Sequence, residues 1–196
     1  MIRKFVKYCF DLSGWKIVGK LPDIPKWVGI VAPHTSNWDF VVAMAVKFIT
    51  GIEGSYVGKH TLFRGPLGWF MRKTGGIPVV RTEKNHLVDT LVREFQNRER
   101  MVFVSAPEGT RSYVPRFRTG FWAVAMAAQV PVVMVGLDFK KKEVQIQEPF
   151  MLSGDLQRDM DRIYGYFKTV NACYPALTFL NQPKPGDPRP SELHLD

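Results

Sequence analysis

His34 and Asp39, within Pro33-His34-Thr35-Ser36-Asn37-Trp38-Asp39, are the two side chains of this sequence whose types and spacing best suit proton transfer. On one continuous helix, residues five apart point about 140° away from each other, so a working pair needs His34 in a loop and Asp39 in the first turn of a helix. There the carboxylate would accept a hydrogen bond from one ring nitrogen and fix the tautomer. It would also stabilise the imidazolium formed when the other nitrogen takes a proton from a hydroxyl, which makes His34 a general base. Ser36 and Asp39 also have the S-x-x-D spacing of a helix capping box, a structural role that the segment alone leaves equally open.

A second polar segment, Ala106-Pro107-Glu108-Gly109-Thr110-Arg111-Ser112, suits an anion. Gly109 allows a backbone amide to approach closely, Thr110 and Ser112 offer hydroxyls, and Arg111 can hold a phosphate through two parallel hydrogen bonds. Glu108 would be repelled by that phosphate and is expected to pair with and orient an arginine. A polar turn after a strand is the plainer explanation of the same residues. Arg81, closing Gly75-Gly76-Ile77-Pro78-Val79-Val80-Arg81, and Lys59 are further cationic candidates, although a solvated cation at a strand end is far commoner than a phosphate ligand. Phe63, Leu67, Trp69, Phe70 and Met71, interleaved with Arg64, Arg72 and Lys73, read either as core with a solvated rim or as an apolar surface that meets lipid.

Other chemistries find no support. No Gly-x-Ser-x-Gly occurs, and neither Cys9 nor Cys173 has a histidine near it in sequence, so nothing supports a covalent intermediate on the enzyme and direct transfer is the simpler mechanism. His34, His60, His86 and His194 lack zinc spacing, and no bound metal or cofactor is expected.

The elements that must position these residues are legible. Trp27 to Ala32, Met101 to Ser105 and Pro131 to Leu137 are nearly continuous apolar runs, as strands covered on both faces should be. Weaker strand patterns occur at Trp15 to Val18, Ser55 to Gly58, Ile77 to Val80 and Glu143 to Gln147. Helical stripes lie between them: Phe40, Val41, Met44, Ala45 and Phe48, then Leu87, Val88, Leu91, Val92 and Phe95, then Leu156, Met160, Ile163 and Phe167. Strands alternating with helices predict an α/β domain, with its functional loops gathered at one edge of the sheet.

With 196 residues, 45% hydrophobic and 23% charged, the chain fits one domain of ordinary globular composition rather than a disordered or polytopic membrane protein. Residues 1–14 are expected to form an amphipathic helix, with Ile2, Phe5, Val6 and Cys9 opposite Arg3, Lys4 and Lys7. It would lie on an anionic bilayer or pack on the domain. Residues 15–173 would form the folded domain. From Tyr174 to residue 196 five prolines predict an extended surface tail. The uncharged stretch 119–137 reads as buried helix, break and buried strand rather than a bilayer span, because Gln129 and Pro131 interrupt it. A net charge of +9 favours anionic partners: coenzyme A, an acidic carrier protein, anionic lipid or nucleic acid.

Taken together and in order, these segments resemble the four sequence blocks of the glycerolipid acyltransferase family, whose best-known members acylate lysophosphatidic acid. His34 and Asp39 match His-x4-Asp, and Gly76 to Arg81 match a glycine-rich run ending in arginine. Pro107 to Ser112 match Pro-Glu-Gly-Thr-Arg-Ser, and Val130 to Val135 an apolar run around a proline. Pro33, Val80 and Ala106 depart from the usual pattern without removing a chemical group that the reaction needs. The resemblance implies a single α/β domain with a mixed, largely parallel central sheet flanked by helices. It implies an acyl-CoA or acyl carrier protein donor and a lysophospholipid acceptor, 1-acyl-glycerol-3-phosphate foremost. The acceptor phosphate would lie near Arg81, Glu108, Gly109, Thr110 and Arg111, with Lys59 as an added candidate, in a peripheral enzyme at the cytoplasmic membrane face. Nucleic acid is then not expected as a partner. The rival readings are the same chemistry on a lyso-amino lipid or glycolipid, and a non-catalytic basic module that binds membranes or nucleic acid.

Overall fold

The computed structural model of the protein describes residues 2–79, 84–178 and 180. Seven strands form one sheet: β1 (Lys16–Val18), β2 (Lys26–Ala32), β3 (Gly54–Lys59), β4 (Gly76–Val79), β5 (Met101–Ser105), β6 (Val132–Asp138) and β7 (Glu143–Ile146). Their order is β1-β7-β6-β2-β5-β3-β4, and every neighbouring pair is parallel except β6 with β7. The mixed, largely parallel sheet implied by the resemblance is therefore present. All seven strand patterns form strands, within two residues of the bounds read from sequence.

The helices are α1 (Ile2–Leu12), α2 (Asn37–Thr50), α3 (Gly65–Lys73), α4 (Lys84–Asn97), α5 (Gly120–Ala128) and α6 (Leu156–Phe167). Because side chains alternate across a strand, the central strands feed two cores. Val28, Ile30 and Ala32 of β2, Met101 and Phe103 of β5, and Val132 and Met134 of β6 pack with Leu91 and Phe95 of α4, Val124 of α5 and Ile163 and Phe167 of α6. On the opposite face Trp27, Val102, Val133 and Leu137 pack with Phe10 of α1 and Val42, Val46 and Ile49 of α2. The uncharged 119–137 stretch resolves into α5, a break at Gln129 in the left-handed region (φ 53°), and β6, so the reading as helix, break and strand holds.

Two expectations need correction. The stripe read on α2 is Phe40, Val41, Met44, Ala45 and Phe48; Met44 is buried and Ala45 packs against the core, but the members of the core cluster itself are Val42, Val46 and Ile49, and Val41 is exposed. α2 is apolar around most of its circumference, so periodicity could not select the face. Second, the stretch from Tyr174 does not begin as an extended surface run. Pro175–Leu177 form a 3-10 turn, and Leu177 and Leu180 are buried, Leu180 within the core on the α4–α6 face. The rest of that stretch, 181–196, lies outside the described residues, as do Arg81 and the side chains of Lys59 and His86.

Candidate active site

β2 and β5 are parallel neighbours, with Ile30 opposite Ser105, so the loops that follow them leave the same edge of the sheet side by side. That adjacency brings the His34 segment against the Glu108 segment. The chain exits β2 through a cis Ala32–Pro33 bond, and α2 begins at Asn37. His34 thus sits in the loop and Asp39 in the first helical turn, the arrangement the pair requires.

His34 Nδ1 lies 3.0 Å from Asp39 Oδ2. The same oxygen accepts the backbone N–H groups of Thr35 at 2.6 Å and Ser36 at 2.7 Å, while the Ser36 hydroxyl accepts the Trp38 N–H at 3.0 Å. The capping box is therefore real, and the two readings of Asp39 are one geometry. The carboxylate that closes the helix start also holds the imidazole. Asp39 is buried and His34 keeps a quarter of its side-chain surface exposed, which leaves Nε2 as the ring nitrogen not engaged with Asp39.

Glu108 is placed differently from expectation. It is buried, pairs with no arginine among the described residues, and accepts the backbone N–H of His34 on Oε1 at 3.0 Å. Its other oxygen, Oε2, has no hydrogen-bond partner, and neither has Asp39 Oδ1. Burial pushes the Glu108 carboxyl up to about 7, and the nearby Asp39 carboxylate acts in the same direction, against the lowering effect of the His34 N–H and imidazole. Buried beside His34, this carboxyl group is poorly suited to hold a phosphate.

A pH dependence of stability follows. Below about 4.5 the group is protonated in both folded and unfolded chains. As the pH rises through about 7 the fold must carry a buried carboxylate, so stability present at low pH is lost. We expect Glu108→Gln to gain about 3 kcal/mol relative to wild type between pH 4.5 and pH 8, measured by urea unfolding at both pH values. An equal difference at the two pH values would refute it.

Gly109 adopts φ 66°, and its N–H donates to the Ala106 carbonyl at 3.0 Å, closing a turn. A Cβ here would meet the Arg118 guanidinium at 3.0 to 3.2 Å, so the missing side chain lets Arg118 lie across the turn. Thr110 is half-buried with its Oγ1 accepting the Ser112 N–H at 3.3 Å, and Arg111 is exposed. Arg118, which the motif reading missed, joins Arg111 at this loop; its signal in sequence was only a basic residue in Arg116-Phe117-Arg118.

The remaining feature is an apolar groove of about 220 Å³ between α2 and the sheet. His34 and Asp39 line it at one end. From there Phe40, Ala43, Met44 and Lys47 of α2 face Val31, Gly29 and Trp27 of β2, with Val104, Val135 and Tyr56 alongside. Asp39 to Lys47 is about 12 Å of helix and Val31 to Trp27 about 13 Å of strand. A zigzag hydrocarbon advances about 1.25 Å per C–C bond, so roughly ten methylene groups fit that span. Lys47 does not place a bare charge in the groove, because its Nζ donates to the carbonyls of Gly54 at 2.7 Å and Ile52 at 3.1 Å.

Fold and site together define an α/β protein with a buried-aspartate–histidine pair at the mouth of an apolar groove. The chain belongs to the acyltransferase family, whose model matches residues 24–138, from the approach to β2 to the end of β6. It is 30% identical over 129 residues to a 1-acyl-sn-glycerol-3-phosphate acyltransferase of Saccharomyces cerevisiae, a match covering 61% of this chain and 41% of that protein. The chain thus spans about two fifths of the length of the curated relative it matches. The crystal structure of the 1-acyl-sn-glycerophosphate (LPA) acyltransferase PlsC from Thermotoga maritima shares the fold, with a TM-score of 0.59 and 21% sequence identity over 83% of this chain and 73% of that one.

Proposed function

We propose that the protein moves a fatty acyl group from acyl-CoA or acyl carrier protein to a hydroxyl of a lysophospholipid, with 1-acyl-glycerol-3-phosphate as the leading acceptor. The observation that carries this reading is the apolar groove ending at His34 and Asp39. The acyl chain of the donor lies in the groove and its thioester carbonyl at the mouth. His34 Nε2 takes the proton of the acceptor hydroxyl, the oxygen attacks the carbonyl, and the tetrahedral intermediate expels the thiolate, which recovers the proton from the imidazolium. Asp39 holds the tautomer and stabilises the imidazolium. Arg111, Gly109 and Thr110, with Arg81 and Lys59, remain the proposed surroundings of the acceptor phosphate, now joined by Arg118; Glu108 leaves that group.

The names of the two relatives favour a lysophosphatidic acid acceptor over a lyso-amino lipid or glycolipid. Product mass spectrometry across a panel of such acceptors, with one labelled thioester, separates them. Preference for a phosphate-free acceptor would refute the leading assignment.

Each methylene buried in the groove contributes about 0.8 kcal/mol. Ala43 faces the groove about 6 Å along α2 from Asp39, so a phenyl ring there blocks a long chain and spares a short one. We expect Ala43→Phe to lower kcat/KM at least tenfold for a sixteen-carbon thioester and far less for a short-chain thioester. Equal losses on both would show that the chain does not run past Ala43.

A peripheral position at the cytoplasmic membrane face is part of the same proposal. Among the described residues no helix is long and apolar enough to cross a membrane. Ile2, Phe5, Tyr8 and Leu12 of α1 are each about two-thirds or more exposed, whereas Phe10 is buried on the domain. Trp38 and Val41 of α2 and Leu67 and Trp69 of α3 are also exposed. This is the pattern of a helix that packs one edge on its domain and presents another to lipid. Sedimentation with anionic phospholipid vesicles should fall at least tenfold for Phe5→Asp combined with Leu12→Asp; unchanged sedimentation would count against α1 as the contact.

A further inference from the structure

Beside His34 the mechanism leaves a buried carboxyl group, Glu108, unused. Glu108 is 3% exposed, yet no cation among the described residues pairs with it, and only one of its oxygens has a partner. That partner is the backbone N–H of the proposed base itself, 3.0 Å away. A buried carboxylate without a cation is unstable, whereas a neutral carboxylic acid keeps an acceptor oxygen for the N–H and carries no charge to desolvate.

The groups around it point the same way. From the catalytic loop and α2, His34 and the Asp39 carboxylate face Glu108, and Asp39 has its own unpartnered oxygen. From the segment before α5, the exposed Arg118 guanidinium lies over Gly109 rather than on Glu108. From the C-terminal side, Cys173 bonds Ser36 and the Tyr174 N–H donates to Thr35 Oγ1 at 3.1 Å, so the catalytic loop is clamped from there as well. A second negative charge beside Asp39 would be offset only in part by the His34 N–H and imidazole, against the larger effect of burial.

We propose that Glu108 is a positioning residue for acyl transfer, which as a neutral acid holds the His34 backbone N–H and so sets the imidazole against the groove mouth. This rests on the reading of His34 as the base. It replaces a phosphate contact by a role in the turnover step, and it makes turnover depend on a proton that never reaches the substrate. Ionisation of Glu108 keeps the bond to the His34 N–H but sets a second buried negative charge beside Asp39, and the water that this charge draws in loosens the loop that carries His34, so activity falls as pH rises through about 7.

The test is kcat and KM against pH from 5.5 to 9 for wild type, Glu108→Gln, Glu108→Ala and His34→Ala, with acyl-CoA and 1-acyl-glycerol-3-phosphate. Glu108→Ala should lose at least tenfold in kcat with little change in acceptor KM. Glu108→Gln, whose amide oxygen accepts the same N–H, should recover most of that loss and lack the falling limb that wild type shows above about pH 7. A loss confined to acceptor KM, or superposable profiles for wild type and Glu108→Gln, would overturn the proposal. If His34→Ala were as active as wild type, the base assignment would fail instead; if it were inactive while Glu108→Ala matched wild type, only the positioning role would fail.

Discussion

His34→Ala should lower kcat for acyl transfer by about 10³-fold while leaving the fold intact. General-base catalysis typically contributes 10² to 10⁴, and no other described side chain is poised to replace this one. His34 is a loop residue with a quarter of its side-chain surface exposed, and its side chain bonds Asp39, so truncation costs little packing. The loss should appear in kcat rather than in donor KM, because the groove that binds the acyl chain is formed by other residues. Steady-state kinetics at saturating thioester, with circular dichroism as the check on folding, measure both. A drop of less than threefold would leave His34 without the role given to it.

Asp39 should show the second large effect, in two separable parts. Asp39→Asn keeps the size of the side chain but puts an amide where the imidazole needs an anion. It should cost about 10² to 10⁴ in kcat through tautomer and imidazolium stabilisation, with a modest change in stability. Asp39→Ala should lose a similar rate and destabilise as well. Its Oδ2 serves the N–H groups of Thr35 and Ser36, both residues buried, and each abandoned donor costs about 1 to 3 kcal/mol. Together with the lost capping interaction we expect about 3 kcal/mol, seen as a melting point lower by roughly 6 to 12 °C. If Asp39→Asn kept wild-type turnover while Asp39→Ala unfolded, the residue would be a helix cap and nothing more.

How much of this was legible in sequence depends on which contacts are local. The strands were readable because Val28, Ile30, Val132 and Val133 are apolar on both faces of a covered sheet, which leaves an uninterrupted run. His34 and Asp39 were readable because their contact closes over five residues, and chain geometry alone dictates loop then helix. Glu108 was not. Its partner is 74 residues away, brought close only by the parallel pairing of β2 with β5, and nothing near Glu108 in sequence encodes that. The pairing with an arginine followed from charge chemistry, but burial reversed the preference by making the neutral form the cheaper one. The groove was hidden for another reason. Ala43, Met44 and Phe40 look like core residues, and only the way α2 stands on the sheet leaves space between them and Gly29, Val31 and Val104. Leu177 and Leu180 were hidden by the prolines around them, which exclude a long helix but permit a 3-10 turn and a packed strap.

The central claim is that an acyl thioester bound in this groove is attacked at His34. Purified protein given acyl-CoA with a deuterated chain and 1-acyl-glycerol-3-phosphate, followed by mass spectrometry of the lipids, tests it directly. Wild type should yield the singly labelled diacyl product, with coenzyme A released in equal amount, and His34→Ala should yield about a thousandth as much per unit time. Equal product from the two proteins, or no labelled product from wild type with this or any other lysolipid acceptor, would contradict it.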